Sequence, residues 1–198
     1  MNLIKLMLIG LAVTTLSACS KTVKWEEEVP LNTGDVIWVK REVVYNYQGA
    51  GGNPFDFDYR PSRTEKLAFD WKGKEYAYVG DADLILLAIQ PNSHLPVLVT
   101  PKGTGNWVRS RDIPCVKPYY VQLVVNESKW EWQVLQRVEP WLYNMPSNLM
   151  AKREDFTKMS AQARYTTSDR ISMDTTMAIQ SPDMARIDPN YQPEICTG

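Results

Sequence analysis

The sequence predicts an all-β protein whose main part is an antiparallel β-sandwich or a barrel-like domain. Between residues 35 and 138 the chain consists of short runs rich in β-branched and aromatic residues, which favour strands. Most gaps between these runs carry Gly, Pro, Asn or Asp, the residues that turns prefer. No long segment in this region repeats apolar residues with the period of a helix. Short strands at near-regular spacing, separated by turn residues, are typical of sandwiches and barrels.

The individual strands follow from the apolar runs. The first covers residues 36–47 and leads into a glycine-rich turn over residues 48–54, where positive φ values cost little. The run at 84–89 is apolar throughout, which is typical of a central strand covered on both faces. Residues 130–134 alternate strictly, so Trp130, Trp132 and Val134 are expected to point inward together. The remaining strand candidates are residues 66–71, 75–79, 96–100 and 119–125, and the last candidate extends over 130–138.

The chain changes character at residue 146, where it becomes polar and rich in methionine. Residues 151–164 can form one short helix, although an isolated helix of this length is marginal in water. The rest of the segment carries only sparse apolar residues. We therefore expect an irregular, partly helical C-terminal arm over residues 146–198, which either wraps the body or is ordered by a partner.

Composition and charge exclude two classes of partner. Hydrophobic residues make up 44% and charged residues 23% of the 198 residues, which is ordinary for a globular domain. The formal net charge is −1, so the chain lacks the basic surface that nucleic-acid binding requires. It also lacks a polybasic segment for anionic lipid, and any membrane attachment must come from another feature.

The first nineteen residues have the layout of a secretory signal. Lys5 provides a positive start, residues 6–16 form an almost unbroken apolar run, and the small residues Ser17 and Ala18 precede Cys19. The apolar run is shorter than the roughly 20 residues that a helix needs to cross a bilayer.

The ending Leu16-Ser17-Ala18-Cys19 resembles the lipobox of bacterial lipoproteins, and this resemblance covers the export signal alone. It implies cleavage before Cys19, acylation of that cysteine with palmitate-type chains, and anchoring in the bacterial cell envelope. Ser20 stands where the family's inner-membrane retention signal would place Asp, which implies the outer membrane, with the body facing the periplasm. Anchors with several acyl chains are effectively permanent.

The resemblance divides the chain into four parts. Residues 1–18 are the signal peptide, 19–34 the lipid anchor and a tether, 35–145 the β-domain and 146–198 the C-terminal arm. Loss of the signal removes one lysine, so the net charge of the mature chain changes from −1 to −2.

Two cysteines remain after Cys19, and they form a candidate disulfide. Cys115 and Cys196 are an even pair, and disulfides persist in the periplasm. A bond between them would close a loop of about 80 residues, to which the chain-entropy model assigns roughly 4–5 kcal/mol. The alternative is two separate thiols, one of them buried.

The sequence offers little for catalysis or metal binding. His94 is the only histidine, so every Ser–His or Cys–His scheme must pass through it, and no G-x-S-x-G motif is present. The pairs Asp56/Asp58 and Asp81/Asp83 offer carboxylates, but neither continues into an EF-hand pattern. We expect no catalytic residues, no metal and no cofactor.

Aromatic content is the one feature that favours binding. The chain holds seven Trp and ten Tyr, residues that combine an apolar ring with a polar group and are enriched at interfaces. Exposed rings can stack on sugars of peptidoglycan or lipopolysaccharide, or anchor a protein. We expect Trp25 in the tether, and Tyr119 and Tyr120 beside Pro118, to be the exposed members.

These observations favour a membrane-anchored lipoprotein with a non-catalytic binding or accessory role towards an envelope component, either a protein or a glycan. One alternative is an envelope hydrolase that cleaves glycan or peptide with two carboxylates as acid and base. Another is a lipoprotein of surface exclusion or immunity, which blocks phage or a competitor's toxin.

Overall fold

The protein folds into two β-sheets. A computed structural model describes residues 20–49, 57–80, 83–101, 117–126, 131–135, 137–150, 163–169 and 185–192. Within these ranges the chain is mostly strand with almost no helix, which confirms the all-β prediction. None of the helical turns in the described ranges has the length and apolar character needed to cross a bilayer.

The first sheet has five strands. They are β1 (Ser20–Pro30), β2 (Val36–Gly49), β3 (Phe57–Trp71), β4 (Lys74–Gly80) and, far along the chain, β9 (Ala163–Tyr165). Their order is β4-β3-β2-β1-β9, and all neighbours are antiparallel except β1 and β9, which are parallel. β2 and β3 pair as long antiparallel neighbours, and the glycines of the turn predicted over residues 48–54 that follow Gly49 lie outside the described residues.

The second sheet has four strands in chain order. They are β5 (Leu86–Ile89), β6 (Pro96–Pro101), β7 (Tyr120–Asn126) and β8 (Glu131–Leu135), all antiparallel. A single 3-10 turn, Pro140–Leu142, follows β8.

One apolar core lies between the two sheets, which makes the body a sandwich. Aliphatic side chains of both sheets meet there, with aromatic rings of β3 and β4 around them; central members are Val29, Val39, Leu67, Leu87, Leu98 and Leu123. Trp132 and Val134 of β8 pack against this core, as the alternation in that strand predicts, and Trp130 lies outside the described residues. Each fully buried aliphatic side chain contributes about 1.5–3 kcal/mol through loss of exposed apolar area.

The turn between β3 and β4 shows how local sequence sets the register of a hairpin. Lys72 and Gly73 are the two loop residues, with φ values of 49° and 77°. Positive φ at both positions is the type I′ geometry, whose twist matches that of the flanking strands. Trp71 therefore pairs directly with Lys74, and Phe69 stacks on Tyr76 across the same pair of strands.

The prediction that residues 19–34 form a tether is wrong for residues 20–30, which are strand β1. This strand lies inside the first sheet, between β2 and β9. Val23, Trp25, Glu27 and Val29 alternate onto its inner face, and all four are buried. The stretch looks like a solvated tether because charged residues occupy the outer positions and because one inner position is itself a glutamate.

The prediction that residues 84–89 form a central strand is also wrong, because β5 is an edge strand of the second sheet. Two asparagine side chains form hydrogen bonds with the backbone of β5 that a further strand would otherwise form. Asn148 accepts the Leu87 N–H at 2.8 Å and donates to the Leu87 carbonyl at 2.7 Å. Asn32 does the same for Ile89, at 2.7 and 2.8 Å. Asn148 also donates to the Pro30 carbonyl at 2.8 Å, so its amide joins the two sheets.

A second apolar cluster covers the other face of β5. It joins residues of the second sheet to residues from beyond β8, namely Ile85, Leu86, Ala88, Val97, Val99, Tyr120, Val138, Leu142 and Ile187. Burial on both faces explains why the run at 84–89 is apolar throughout even though the strand lies at an edge.

The described parts of residues 146–198 pack on the body, which is the first of the two alternatives predicted for the C-terminal arm. The Ile187 side chain is fully buried, and its backbone exchanges hydrogen bonds with Asn144 and Met145 at 2.8 and 2.9 Å. Of the helix predicted over residues 151–164, Ala163 and Arg164 are instead part of β9, and residues 151–162 lie outside the described residues.

We expect the Asn148→Ala variant to be destabilised by about 1–3 kcal/mol, because the buried polar groups of Leu87 lose their partners. The Asn32→Ala variant is the matched control, since it removes the same pair of bonds at a partly buried site where water can replace the amide. Urea unfolding should give a smaller loss for the control. Equal losses would contradict the role given to Asn148.

Candidate functional site

The three aromatic residues predicted to be exposed are all buried. Tyr120 is fully buried, its hydroxyl donates to the Arg186 carbonyl at 3.2 Å, and its ring lies 5.1 Å from that of Tyr191. The Tyr119 N–H donates to the Tyr191 carbonyl at 2.9 Å. The prediction failed because residues 185–192 fold back over the start of β7, which the local sequence does not show.

Trp25 is buried on the inner face of β1 instead of exposed in a tether. In the register of β1 and β2 it lies directly opposite Arg41, whose guanidinium carbon is 5.2 Å from the centre of the indole ring. This is the geometry of a cation–π contact, which strengthens where water is excluded. Trp25 therefore belongs to the interior and is not part of a binding surface.

The other predicted residues fall into two groups. Cys19, Cys115 and Cys196 lie outside the described residues, so the lipidation and the disulfide stay predictions. His94 is exposed in the turn before β6, at a φ of 58°, and its carbonyl accepts the Trp71 indole N–H at 3.1 Å.

The aspartate pairs give no metal site within the described ranges. Asp56 and Asp81 lie outside those ranges, and Asp58 is described only as backbone. No group of three or more His, Cys, Asp or Glu side chains in the described ranges is placed to hold a metal ion.

A cluster of buried charges lies at the middle of the inner face of the first sheet. The Arg41 guanidinium binds Glu27 on one side at 2.7 Å and Glu65 on the other at 2.9 Å, and all three side chains are fully buried. The second carboxylate oxygen of Glu27 accepts the Met150 N–H at 2.8 Å. The cluster thus connects β1, β2, β3 and the segment that follows the 3-10 turn.

Burial and pairing act in opposite directions on the ionisation of this cluster. Burial raises the pKa of Glu27 above its ordinary value of 4.5, and the positive charge of Arg41 opposes that rise. Burial lowers the pKa of the Arg41 guanidinium, but the two carboxylates outweigh this effect, so the pKa lies above the ordinary value of arginine and Arg41 stays charged. The role of this buried arginine and its two carboxylates is structural, since no substrate can reach a fully buried side chain.

The outer face of the first sheet is the open surface of the described molecule. Its large apolar side chains are Val36, Trp38 and Val79, exposed by 56%, 37% and 64%. Charges of both signs surround them. Glu42 is central, because its carboxylate binds Lys24 at 3.1 Å and Lys66 at 2.7 Å across three neighbouring strands. Hydrogen bonds from these two lysines hold the pKa of Glu42 below 4.5.

Trp38 is the aromatic residue that the outer face presents to solvent. The guanidinium of Arg164, from β9, lies 4.0 Å from the centre of its ring, and Arg164 is also bound to Glu26 at 3.0 Å. The stacked guanidinium covers one face of the indole, so a sugar ring has only the opposite face to stack upon. Trp and Arg are among the residue types enriched at the positions that carry most of the binding energy in protein–protein interfaces.

Chemically, this outer face offers a partner apolar side chains, one indole ring and charges of both signs. We call it the outer face, defined by Lys24, Glu26, Val36, Trp38, Glu42, Lys66, Val79 and Arg164. The sequence analysis missed Trp38 and Arg164. Alternation in β2 places Trp38 and Val39 on opposite faces, but nothing in the local sequence says which face the second sheet covers.

Comparisons with known proteins do not assign this fold to a family. A scan against protein-family models and searches of curated proteins and of solved structures gave no match.

We expect Arg41→Met to cost about 3–5 kcal/mol in the free energy of unfolding, because two carboxylates then remain buried without a counter-charge. Replacing the whole cluster, as Arg41→Met with Glu27→Leu and Glu65→Leu, should recover roughly half of that loss, since apolar side chains of similar volume need no partner.

The matched surface control is Glu42→Gln, which breaks two ion pairs with exposed lysines and should change stability by at most about 1 kcal/mol. Urea unfolding at neutral pH measures all three variants. A triple variant as unstable as Arg41→Met alone would show that the loss comes from altered packing and not from uncompensated charge.

Proposed function

We propose that this protein is a lipoprotein of the bacterial outer membrane that faces the periplasm and binds a protein component of the envelope without catalysis. The lipid on Cys19 attaches it to the membrane, and the outer face of the first sheet is the surface that binds. The observation that carries the binding role is the solvent-exposed pair of Trp38 and Arg164, set among charges of both signs.

The anchor is supported by the sequence Leu16-Ser17-Ala18-Cys19 and by the layout of the residues before it, with a lysine and then an apolar run.

The side chains of the outer face favour a protein partner and not a glycan. The outer face is a sheet surface that carries ion pairs and three exposed apolar side chains. Protein interfaces combine apolar contacts, Trp and Arg anchors and complementary charges. Glycan binding, in contrast, relies on rings whose faces are open, and Arg164 occupies one face of Trp38.

The hydrolase alternative gains no support from the carboxylates that bind Arg41. Glu27 and Glu65 share Arg41 and are fully buried, so neither can reach a glycosidic or peptide bond. A role in exclusion or immunity is a variant of the binding proposal in which the partner comes from outside the cell.

The anchor is tested by growing cells with radiolabelled palmitate. We expect label in the parent protein and none in Cys19→Ser, together with loss of the variant from the outer-membrane fraction, because an uncleaved signal without acyl chains holds the variant in the inner membrane. Cys115→Ser is the matched control and should label like the parent. Equal fractionation of parent and Cys19→Ser, with no label in either, would remove the lipoprotein proposal.

The binding face is tested in intact cells with the photo-crosslinking amino acid p-benzoylphenylalanine at Val79. We expect one discrete adduct with a protein, and adding Trp38→Ala should reduce its yield about tenfold or more, as loss of an interface anchor does. The same crosslinker at Gln133, exposed on β8 of the second sheet, is the control and should give no such adduct. An adduct from Gln133 instead, or one insensitive to Trp38→Ala, would contradict the proposal.

A further inference from the structure

The register of the first sheet places the proposed lipid beside the distal end of the long hairpin. Ser20 pairs with Asn46, and Lys21 pairs with Tyr45. The Cα atom of Cys19 lies about 3.8 Å from that of Ser20, because the two residues are joined by one peptide bond. Adjacent strands are about 4.8 Å apart. An acyl chain on Cys19 therefore leaves the body next to Asn46 and Tyr47.

The side chains at this end change from buried to exposed within two residues. Val23 and Tyr45 are buried in the apolar cluster beneath the end of the sheet. Beyond them Ser20, Lys21 and Asn46 are exposed, and Tyr47 is 48% exposed although it continues the inner face of β2. In the register of β2 and β3, the position opposite Tyr47 is also a tyrosine, Tyr59.

These residue types match the layer of lipid headgroups. That layer is about 5–8 Å thick on each side of the bilayer, the difference between a total thickness of 40–45 Å and a core of 30 Å. Residues one strand away from an acylated cysteine cannot leave this layer while the acyl chains stay in the core. Tyrosine is enriched at this depth because its ring is apolar and its hydroxyl is polar, and lysine pairs with lipid phosphate.

We propose that the part of the first sheet around the start of β1, formed by Ser20, Lys21, Asn46 and Tyr47, is a second membrane contact, which lies against phospholipid headgroups beside the acylated Cys19. This inference rests on the proposed lipoprotein function, because the anchor is what brings this part of the sheet to the bilayer. We call these four residues the membrane end.

The contact fixes the direction of the body. β1 has eleven residues, so its far end lies about 33 Å from Ser20. The turn over residues 31–35 and the Lys72-Gly73 turn are therefore directed away from the bilayer. Because the strands of the first sheet run away from the membrane, the outer face of this sheet is not pressed against the bilayer. A periplasmic partner can therefore approach it.

The test uses the acylated full chain in vesicles of phosphatidylethanolamine and phosphatidylglycerol that carry tritiated phospholipid. Position 47 receives p-benzoylphenylalanine, which resembles the tyrosine that it replaces. Val36 on the same strand is the matched control, because it is 56% exposed and eleven residues away, about 37 Å. Asn46 provides a second position, which keeps the test valid if the change at Tyr47 disturbs folding.

We expect phospholipid adducts at positions 47 and 46 at least about fivefold above those at position 36. Equal labelling at positions 36, 46 and 47, or adducts at 46 and 47 with a second copy of the chain in place of lipid, would overturn the inference. Mass spectrometry and flotation of the same samples separate this failure from that of the anchor. An acylated protein that floats with the vesicles but fails to label overturns only the membrane end, whereas a chain without acyl groups on Cys19 overturns both proposals.

Discussion

The Arg41 guanidinium is the constraint on which the first sheet depends. It binds Glu27 and Glu65 from the strands on either side, and Glu27 in turn holds the backbone of Met150. Charges that leave water need partners at close range, so the three strands have little freedom to slide. If β1 or β3 slipped by one residue along β2, its glutamate would turn to the opposite face of the sheet. Arg41 would then stay buried with only one of its two carboxylates. A third apolar cluster, which includes Trp25, lies on the same sheet beyond Arg41, apart from the core between the sheets.

Strands that bury apolar side chains in a regular pattern could be predicted from the sequence. β2 and the strands from β4 to β8 all coincide with β-branched or aromatic runs flanked by turn residues, and the sandwich followed from them. β1 was missed because the buried Glu27 interrupts its apolar alternation and makes the segment resemble a charged linker. β9 was missed because a three-residue strand has no periodicity of its own, and it exists only because β1 offers an edge.

The surface could be predicted far less well than the fold. Sequence alternation tells which side chains share a face of a strand, but only tertiary packing decides which face meets water. Trp25 and Trp38 illustrate this, since both are tryptophans in charged strand segments. Trp25 is buried against Arg41, whereas Trp38 is partly exposed to solvent and contacts Arg164. The roles of Asn32 and Asn148 depend on contacts across more than 50 residues of chain, which local patterns do not encode.

The parallel pairing of β1 with β9 has a consequence for how such a chain matures. Trp25 pairs with Ala163, so one side of β1 has no partner strand until the last quarter of the polypeptide arrives. In a chain that crosses a membrane from its N-terminus onward, this side stays open during most of the passage. Open strand edges recruit other chains and start aggregation. A chaperone that shields this edge until β9 pairs with β1 would therefore raise the yield of the native protein.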